Sequence, residues 1–324
     1  MKIKEVCAYY KKDLDSAEDV INGMFSAVAP AISEIGKYML TGGGKRIRPL
    51  LAILSSKIFN YHGEKAYVLA CSVESIHTAS LLHDDIVDDA SVRRGRPPAH
   101  SVWGDKLTIL VGDYLYTNAM RVASSLGDQR IMDALSGATA KMSEGEVLQL
   151  GIKGDFDISE VEYMEIIKDK TAILISSVCL SGAILGSASK KQEDAMAGYG
   201  LKLGLAFQIA DDVLDYMAEE KALGKSLGKD LEEGKITLPL IYLLKSSTDE
   251  EAEKVKSIIR AEKMFRSDLS YITGLLEKYK CIEKSYEKAN SIINEAKAEL
   301  DIFDDSMEKT SLITIAEYVL KREK

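Results

Sequence analysis

Two aspartate pairs pose the chemical question in this sequence. Asp84 and Asp88 lie in "SLLHDDIVDDASVRRGRPPAH", and Asp211 and Asp215 lie in "LAFQIADDVLDYM". Each pair is spaced four residues apart, which on a helix puts both carboxylates on one face, about 6 Å apart along the axis. Carboxylates stacked in this way repel each other and weaken an exposed helix by about 0.2–0.5 kcal/mol, and more once desolvated. A single such pair in a charged surface helix would read as a solvated acidic face. Here both emerge from apolar runs, "TASLL" and "LAFQIA". Oxygen ligands without cysteine or clustered histidine suit a hard cation, and magnesium commonly takes one or two carboxylates together with substrate phosphate oxygens. Two opposed pairs therefore point to a metal-bridged phosphate or diphosphate.

Cations accompany both pairs. "GGGKRIRP" places Lys45, Arg46 and Arg48 behind a glycine-rich turn at the head of a helix, where free N–H groups and the helix dipole also favour an anion. Arg93 and Arg94 follow Asp88, and Lys225, Lys229 and Lys235 follow Asp215. This arrangement suits two polyphosphate groups in one cavity, one gripped through metal and one directly by guanidinium and ammonium groups.

The elements that must hold these residues are helices. The 324 residues include only five prolines, and apolar residues recur at spacings of three and four along the chain. The pattern predicts helices over 13–39, 48–60, 64–86, 106–126, 130–151, 159–186, 190–218, 237–245, 249–260, 266–279, 281–303 and 308–321. Strand patterns do not recur. The fold class is all-α, and the strongly apolar helices 64–86 and 190–218 are expected at the centre of one large bundle. One domain over 1–324 is expected, with a motif-bearing core over 35–245 and more charged, peripheral helices over 246–324. Hydrophobic residues make up 46% of the chain and charged residues 29%, enough apolar material for a large core. The net charge of -9 argues against a nucleic-acid partner. Four scattered cysteines without a CxxC fit a reducing, cytoplasmic location, and no apolar run reaches the length of a membrane span.

With these residues in hand, the chain resembles the trans-isoprenyl diphosphate synthases, the polyprenyl synthase family, in its geranylgeranyl or longer-chain branch. The motifs "GGGKRIRP", "HTASLLHDDIVDDASVRRGRP", "VGDYL", "GEVLQL", "DKTA", "FQIADDVLDY" and "GKSLGKDLEEGKITLPL" occur in family order between residues 35 and 245. The resemblance implies an isoprenoid-synthase bundle around a central substrate cavity. It implies condensation of isopentenyl diphosphate with an allylic diphosphate, assisted by magnesium, usually three ions per site. By motif, Lys45, Arg48, His77 and Arg94 would hold isopentenyl diphosphate. Arg93, Lys170, Thr171, Gln208, Lys225 and Lys235 would hold the allylic diphosphate. Asp84, Asp88 and Asp211 would be the principal metal ligands, with Asp85 and Asp215 close behind. The groups expected to act directly in catalysis are Asp84, Asp88, Asp211, Arg93, Lys170 and Lys225. Without the resemblance, His77 reads as a core histidine, while His83 and His100 are assigned no role. Pro98 departs from the family pattern, which favours a small polar residue there. Members usually form homodimers, and helix 106–126 is a plausible interface.

Product length should depend on the helix face running back from Asp84. Ala79 and Ser80 lie one turn down and Ile76 beyond them, and each turn advances about 5.4 Å, roughly one isoprene unit. Farnesyl-making relatives carry aromatic rings at the first of these turns, whereas Ala79 and Ser80 are small. A product of at least about twenty carbons is expected, with about twenty to thirty-five favoured, stopped by Ile76 or by Tyr114, Tyr116 or Met120 on the next helix.

Other readings compete. A farnesyl diphosphate synthase would be blocked earlier. A terpene cyclase would not need Lys45, Arg48 and Arg94, having no second diphosphate to hold. A phosphohydrolase built on His83 and Asp84 would need further histidine ligands. A non-catalytic subunit of a heteromeric synthase would be expected to lose an acidic pair, and both are present.

Overall fold

The computed structural model describes residues 1–24, 29–41, 46–217, 228–261 and 264–321. The helices in chain order are α1 (Ile3–Tyr9), α2 (Lys11–Met24), α3 (Pro30–Thr41), α4 (Ile47–Lys57), α5 (Lys65–Val87), α6 (Ala99–Trp103), α7 (Asp105–Ser124), α8 (Gln129–Gly151) and α9 (Glu160–Ile167). A π-helical turn (Lys168–Ala172) leads into α10 (Ile173–Leu185) and α11 (Lys190–Met217). Then come α12 (Lys229–Glu232), α13 (Leu238–Ser246), α14 (Asp249–Arg260), α15 (Arg266–Lys278) and α16 (Cys281–Glu299), a 3-10 turn (Leu300–Ile302) and α17 (Met307–Leu320). The fold is all-α: among the described residues the sole β contact is a bridge between Arg93 and Arg96.

Burial follows apolar content. α10 is buried on nearly every face, from Leu174 to Ile184, and α4 is buried without a break from Pro49 to Ser56. These two pack on one another, α10 also packs on α11, and α4 on α5, so the expected central pair α5 and α11 is joined by α4 and α10. A main core cluster runs from Ile3 to Val319, and a second, smaller one contains Ala79, Leu82, Val111 and Leu115 between α5 and α7. Helices with polar surroundings are held at their ends: Asp128 caps α8, while Ser159 with Glu162 and Thr248 with Glu251 form capping boxes on α9 and α14.

The structure departs from the predicted elements in several places. The helix expected over 13–39 is divided between α2 and α3, and α1 precedes it. Tyr10 ends α1 because its ring is buried and its hydroxyl donates to Glu308 on α17 at 3.0 Å, and Pro30 starts α3 at a first-turn position that needs no N–H donor. The helix expected over 159–186 is interrupted by the π turn. The five-residue α6 is too short to leave a periodic signal, and its N-cap is Pro98, buried, with extended backbone. The charged C-terminal segment is less peripheral than its composition suggests: α16 packs along α11 and buries Cys281, Ser285, Ala289, Ile292, Ile293 and Ala296.

Candidate active site

α5 carries Asp84 on its last turn and ends at Asp88, its C-cap; α11 carries Asp211 and Asp215 on its last two turns. All four carboxylates line one cavity of about 480 Å³. The cavity is also lined by Arg48, His77, Ser80, Arg93, Lys170, Thr171, Gln208, Lys229 and Lys235. Residues from widely separated stretches of sequence thus converge on one chamber, as the paired spacing requires.

The loop after α5 sets the arginines. Arg93 N–H donates to the Arg96 carbonyl at 2.8 Å, and Arg96 N–H returns to Arg93 at 3.0 Å. Between them Arg94 has φ +50° and Gly95 φ +73°. Two consecutive left-handed residues make the tight turn typical of hairpins. It aims Arg93 at Asp85, with Nε and Nη2 on Oδ1 at 2.7 and 2.5 Å, while Arg94 is exposed. Asp85 is fully buried and does not line the cavity, and its Oδ1 fixes the Arg93 guanidinium. Arg46 is likewise taken up structurally. It sits on the left-handed N-cap of α4, bonded to buried Glu74 at 2.7 Å and to the Leu40 carbonyl at 2.5 Å. Burial and the guanidinium groups of Arg48, Arg94, Arg93 and Arg46 hold His77 well below the usual imidazole value. His77 is thus neutral at pH 7, an N–H donor amid guanidinium groups.

A second cationic group, carried by the segment after α11, gathers at Asp88. Lys235 Nζ lies 3.1 Å from both oxygens of Asp88 and 2.6 Å from Glu233, which also pairs with Lys229 at 2.7 Å. Burial alone would lower the Lys235 ammonium, but Asp88 and Glu233 outweigh it and raise its value. At Asp88 burial works upward, yet Lys235 and Lys170 prevail and hold the carboxyl below its usual range. Asp84 behaves oppositely: burial, with Glu146 and Asp88 adding to it, pushes its carboxyl up to about 7 against the pull of Lys170. Asp215 accepts from the Asp230 N–H at 3.0 Å and so seats the segment that carries Lys235.

Lys170 and Thr171 come from the π turn. The turn is possible because two neighbouring helices offer bare backbone there. A Cβ built on Gly145 of α8 would lie 2.7 Å from Lys170 N, and one on Gly204 of α11 would lie 2.5 Å from the Ala172 Cα. Lys170 Nζ reaches Glu146 at 2.8 Å and Gln149 at 2.7 Å. The Thr171 hydroxyl donates to Gln208 Oε1 at 2.8 Å.

Of the product-length residues, Ser80 lines the cavity, whereas Ala79 and Ile76 are fully buried in the two core clusters. Tyr116, Met142 and Leu174 supply cavity wall from α7, α8 and α10, and Tyr114 and Met120 do not line it. Lys45 and Lys225 lie outside the described residues. His100 is structural, its Nε2 at 2.9 Å from the Ala90 carbonyl; His83 lines the cavity edge with Nε2 at 3.2 Å from the Ile109 carbonyl. Sequence reasoning passed over Glu146, Gln149, Asp212, Asp230 and Glu233. The first two stand in the quoted "GEVLQL" and the last two in "GKDLEEGK", so proximity to a motif was the available signal.

The donor set is oxygen throughout. Among the described residues no three carboxylates converge on one point, so a hard cation held here would complete its shell with water or substrate oxygen. Asp84, raised by burial and like charge, is a carboxylate that gains from a neighbouring cation. The residues therefore fit a divalent metal shared with a diphosphate.

Comparison with known proteins agrees with this geometry. The polyprenyl synthetase family model matches residues 29–276. The chain is 35% identical to octaprenyl diphosphate synthase of Escherichia coli strain K12, over 100% of this chain and 99% of that one. It is 36% identical to a short chain isoprenyl diphosphate synthase of Methanothermobacter thermautotrophicus, over 98% and 99%. A solved polyprenyl synthase from Caulobacter crescentus CB15, complexed with calcium and isoprenyl diphosphate, superposes with TM-score 0.95 at 32% identity, covering 99% of this chain and 98% of that one.

Proposed function

This chain belongs to the polyprenyl synthetase family, and we propose that it condenses isopentenyl diphosphate with an allylic diphosphate to a trans-polyprenyl diphosphate of at least about twenty carbons. The observation that carries this reading is one cavity lined by both aspartate pairs and by two separate cationic groups, which matches two diphosphates of which one must leave. Arg48, His77 and Arg94 belong to the isopentenyl diphosphate, joined by Lys45. Lys170, Thr171, Gln208 and Lys235 belong to the allylic diphosphate, joined by Arg93 and Lys225.

Asp84, Asp88, Asp211 and Asp215 would hold magnesium, about three ions as is usual in the family; bound there, the ions supply Lewis-acid charge to the departing diphosphate. The chain's own residues do the rest. Lys170 and Lys235 add ammonium charge where the leaving group gains charge. Phe207, Met142 and Leu174 give the chamber apolar wall that keeps water from the allylic cation. The isopentenyl double bond attacks that cation, and the proton lost from the new chain passes to the released diphosphate. This fits a site whose histidine, His77, is held neutral among cations. The deciding experiment is incubation with isopentenyl diphosphate, farnesyl diphosphate and magnesium, followed by extraction and chromatography. Absence of elongated product with any allylic primer would refute the reading.

Ser80 bears on chain length. It faces the cavity one turn below Asp84, its hydroxyl already satisfied by the His77 carbonyl at 2.9 Å, so a growing chain meets little obstruction there. Ser80→Phe should shorten the product toward about fifteen carbons by filling one turn, about 5.4 Å, of the tube. The corresponding change at Ala79 would instead press a ring between Leu82, Val111 and Leu115, with an overpacking cost of about 1–3 kcal/mol. A wild-type product of fifteen carbons would show that the opening at Ser80 is not what sets length.

The same enzyme is proposed to act as a homodimer. Leu107 and Leu110 near the start of α7 are 42% and 62% exposed, and Val147 and Leu148 near the end of α8 are 69% and 51% exposed. α7 and α8 pack together as consecutive helices, so these residues fall at the same end of the hairpin. A patch of this kind suits a second copy of the same helix pair. Sedimentation should give a two-chain species that Leu110→Glu with Leu148→Glu converts to one chain. A wild-type protein sedimenting as a single chain at micromolar concentration would overturn the dimer.

A further inference from the structure

Along the cavity wall runs a chain of hydrogen bonds that converges on Asp212. Thr171 Oγ1–H donates to Gln208 Oε1 at 2.8 Å, Gln208 Nε2–H donates to Asp212 Oδ1 at 2.7 Å, and Tyr163 O–H donates to Asp212 Oδ2 at 2.6 Å. Asp212 is 6% exposed and Tyr163 3%. Both oxygens of Asp212 therefore act as acceptors, and its aspartate neighbours in sequence and on the same helix, Asp211 and Asp215, are the ones given to metal.

The direction matters. With Asp212 ionised, a Gln208 amide turned the other way would set Oε1 against Asp212 Oδ1 at the 2.7 Å now spanned by the N–H donor, two acceptors facing each other. Asp212 thereby fixes the amide with its oxygen toward Thr171. Thr171 in turn spends its only hydroxyl proton on that oxygen. Beyond these bonds Gln208 Oε1 and Thr171 Oγ1 keep oxygen lone pairs, the negative ends of their dipoles, and Gln208 Nε2 keeps one further N–H. Those lone pairs favour a cation, while the remaining Gln208 N–H can still donate to a diphosphate oxygen.

We propose that Asp212 is a positioning residue: held by Tyr163, it orients Gln208 and Thr171 so that their negative ends face the allylic cation. This rests on the prenyl-transfer reading given above and assigns the second aspartate of "ADDVLD" a task distinct from metal binding. Oriented dipoles aimed at developing charge are typically worth about 10²–10³-fold in turnover, because no reorganisation is needed at the moment of reaction.

Three variants test it. In Asp212→Asn an amide group competes with the Gln208 N–H₂, and the Gln208 amide loses its fixed sense. Turnover should fall about 10²-fold, with both Michaelis constants within about twofold and the magnesium concentration for half-maximal rate unchanged. Gln208→Glu sets two carboxylates against each other and should also be impaired. In the double variant, Asp212→Asn with Gln208→Glu, the amide introduced on the α11 side donates to the introduced carboxylate while Thr171 still donates to that carboxylate's other oxygen. Every bond is then restored with amide and carboxylate exchanged. The double variant should exceed both single variants in turnover by at least about tenfold, the coupling expected of residues in one hydrogen-bond network. If Asp212→Asn loses helicity, the comparison of Gln208→Glu with the double variant still decides. Unchanged turnover in Asp212→Asn, a raised magnesium requirement, or a double variant no better than Gln208→Glu would each overturn the inference. A wild-type protein without elongated product would instead refute the proposed function.

Discussion

Asp84→Asn and Asp211→Asn should each lower turnover by about 10²–10³-fold or more while leaving helical content unchanged. Neither carboxylate is placed in the packed core; both face the chamber, so their replacement removes metal-binding charge without opening a cavity. At Asp84 the fold in fact strains against the charge. Its carboxyl is pushed from 3.8 up to about 7 by burial and by Glu146, with Asp88 adding to them. A carboxyl raised in the folded state favours folding at low pH and loses that advantage as pH rises through the folded value. Without divalent metal, Asp84→Asn should therefore be as stable as wild type near pH 4 and more stable above about pH 7. Added magnesium should stabilise wild type more than the variant. Thermal denaturation at two pH values, with and without magnesium, reads all of this. A large loss of helicity in the variant would show that Asp84 holds the fold rather than the ligand.

The acidic pairs were legible because their repulsion has no local compensation, and their spacing alone fixed a shared face. Arg93 was legible as a cation, but its pairing with Asp85 was not: that depends on Arg94 adopting a left-handed backbone, which the sequence marks only by the following Gly95. Asp85, second in "HDDIVDD", looked equivalent to its neighbours by motif, yet a helix turns about 100° per residue and carries it off the cavity face. The same rotation separates Ser80, in the cavity, from Ala79, in the core. Helix periodicity located α5 and α11 well because their apolar faces are wide. It overran at 13–39, where α2 ends at Met24 and α3 starts anew at Pro30. It also overran at 159–186, where the interruption is set by two glycines on other helices. Such tertiary causes leave no trace in local spacing.

Those glycines yield the second large effect. Gly204→Ala should cut turnover by about 10²-fold and cost about 1–3 kcal/mol in stability, although it adds one methyl group to a helix and raises local helix propensity. The Cβ would stand 2.5 Å from the Ala172 Cα and 2.8 Å from its Cβ, contacts that backbone must yield to relieve. What would move is the π turn, and with it Lys170 and Thr171. A displacement of about 1 Å at groups that position a reacting bond is commonly worth about 10²-fold. Gly204 lies one turn beyond Gly200, whose own Cβ would meet the Ile175 carbonyl at 2.6 Å, so α11 approaches the turn and α10 along a bare stripe and has no slack in which to shift. Gly137 provides the control: it lies on α8 with open space at its Cβ, and Gly137→Ala should be neutral or stabilising by up to about 1 kcal/mol. Turnover and melting temperature of both variants separate the effect of position from the effect of the substitution itself. A Gly204→Ala protein with wild-type turnover would show that the π turn tolerates displacement, and that Lys170 and Thr171 do not depend on it for their placement.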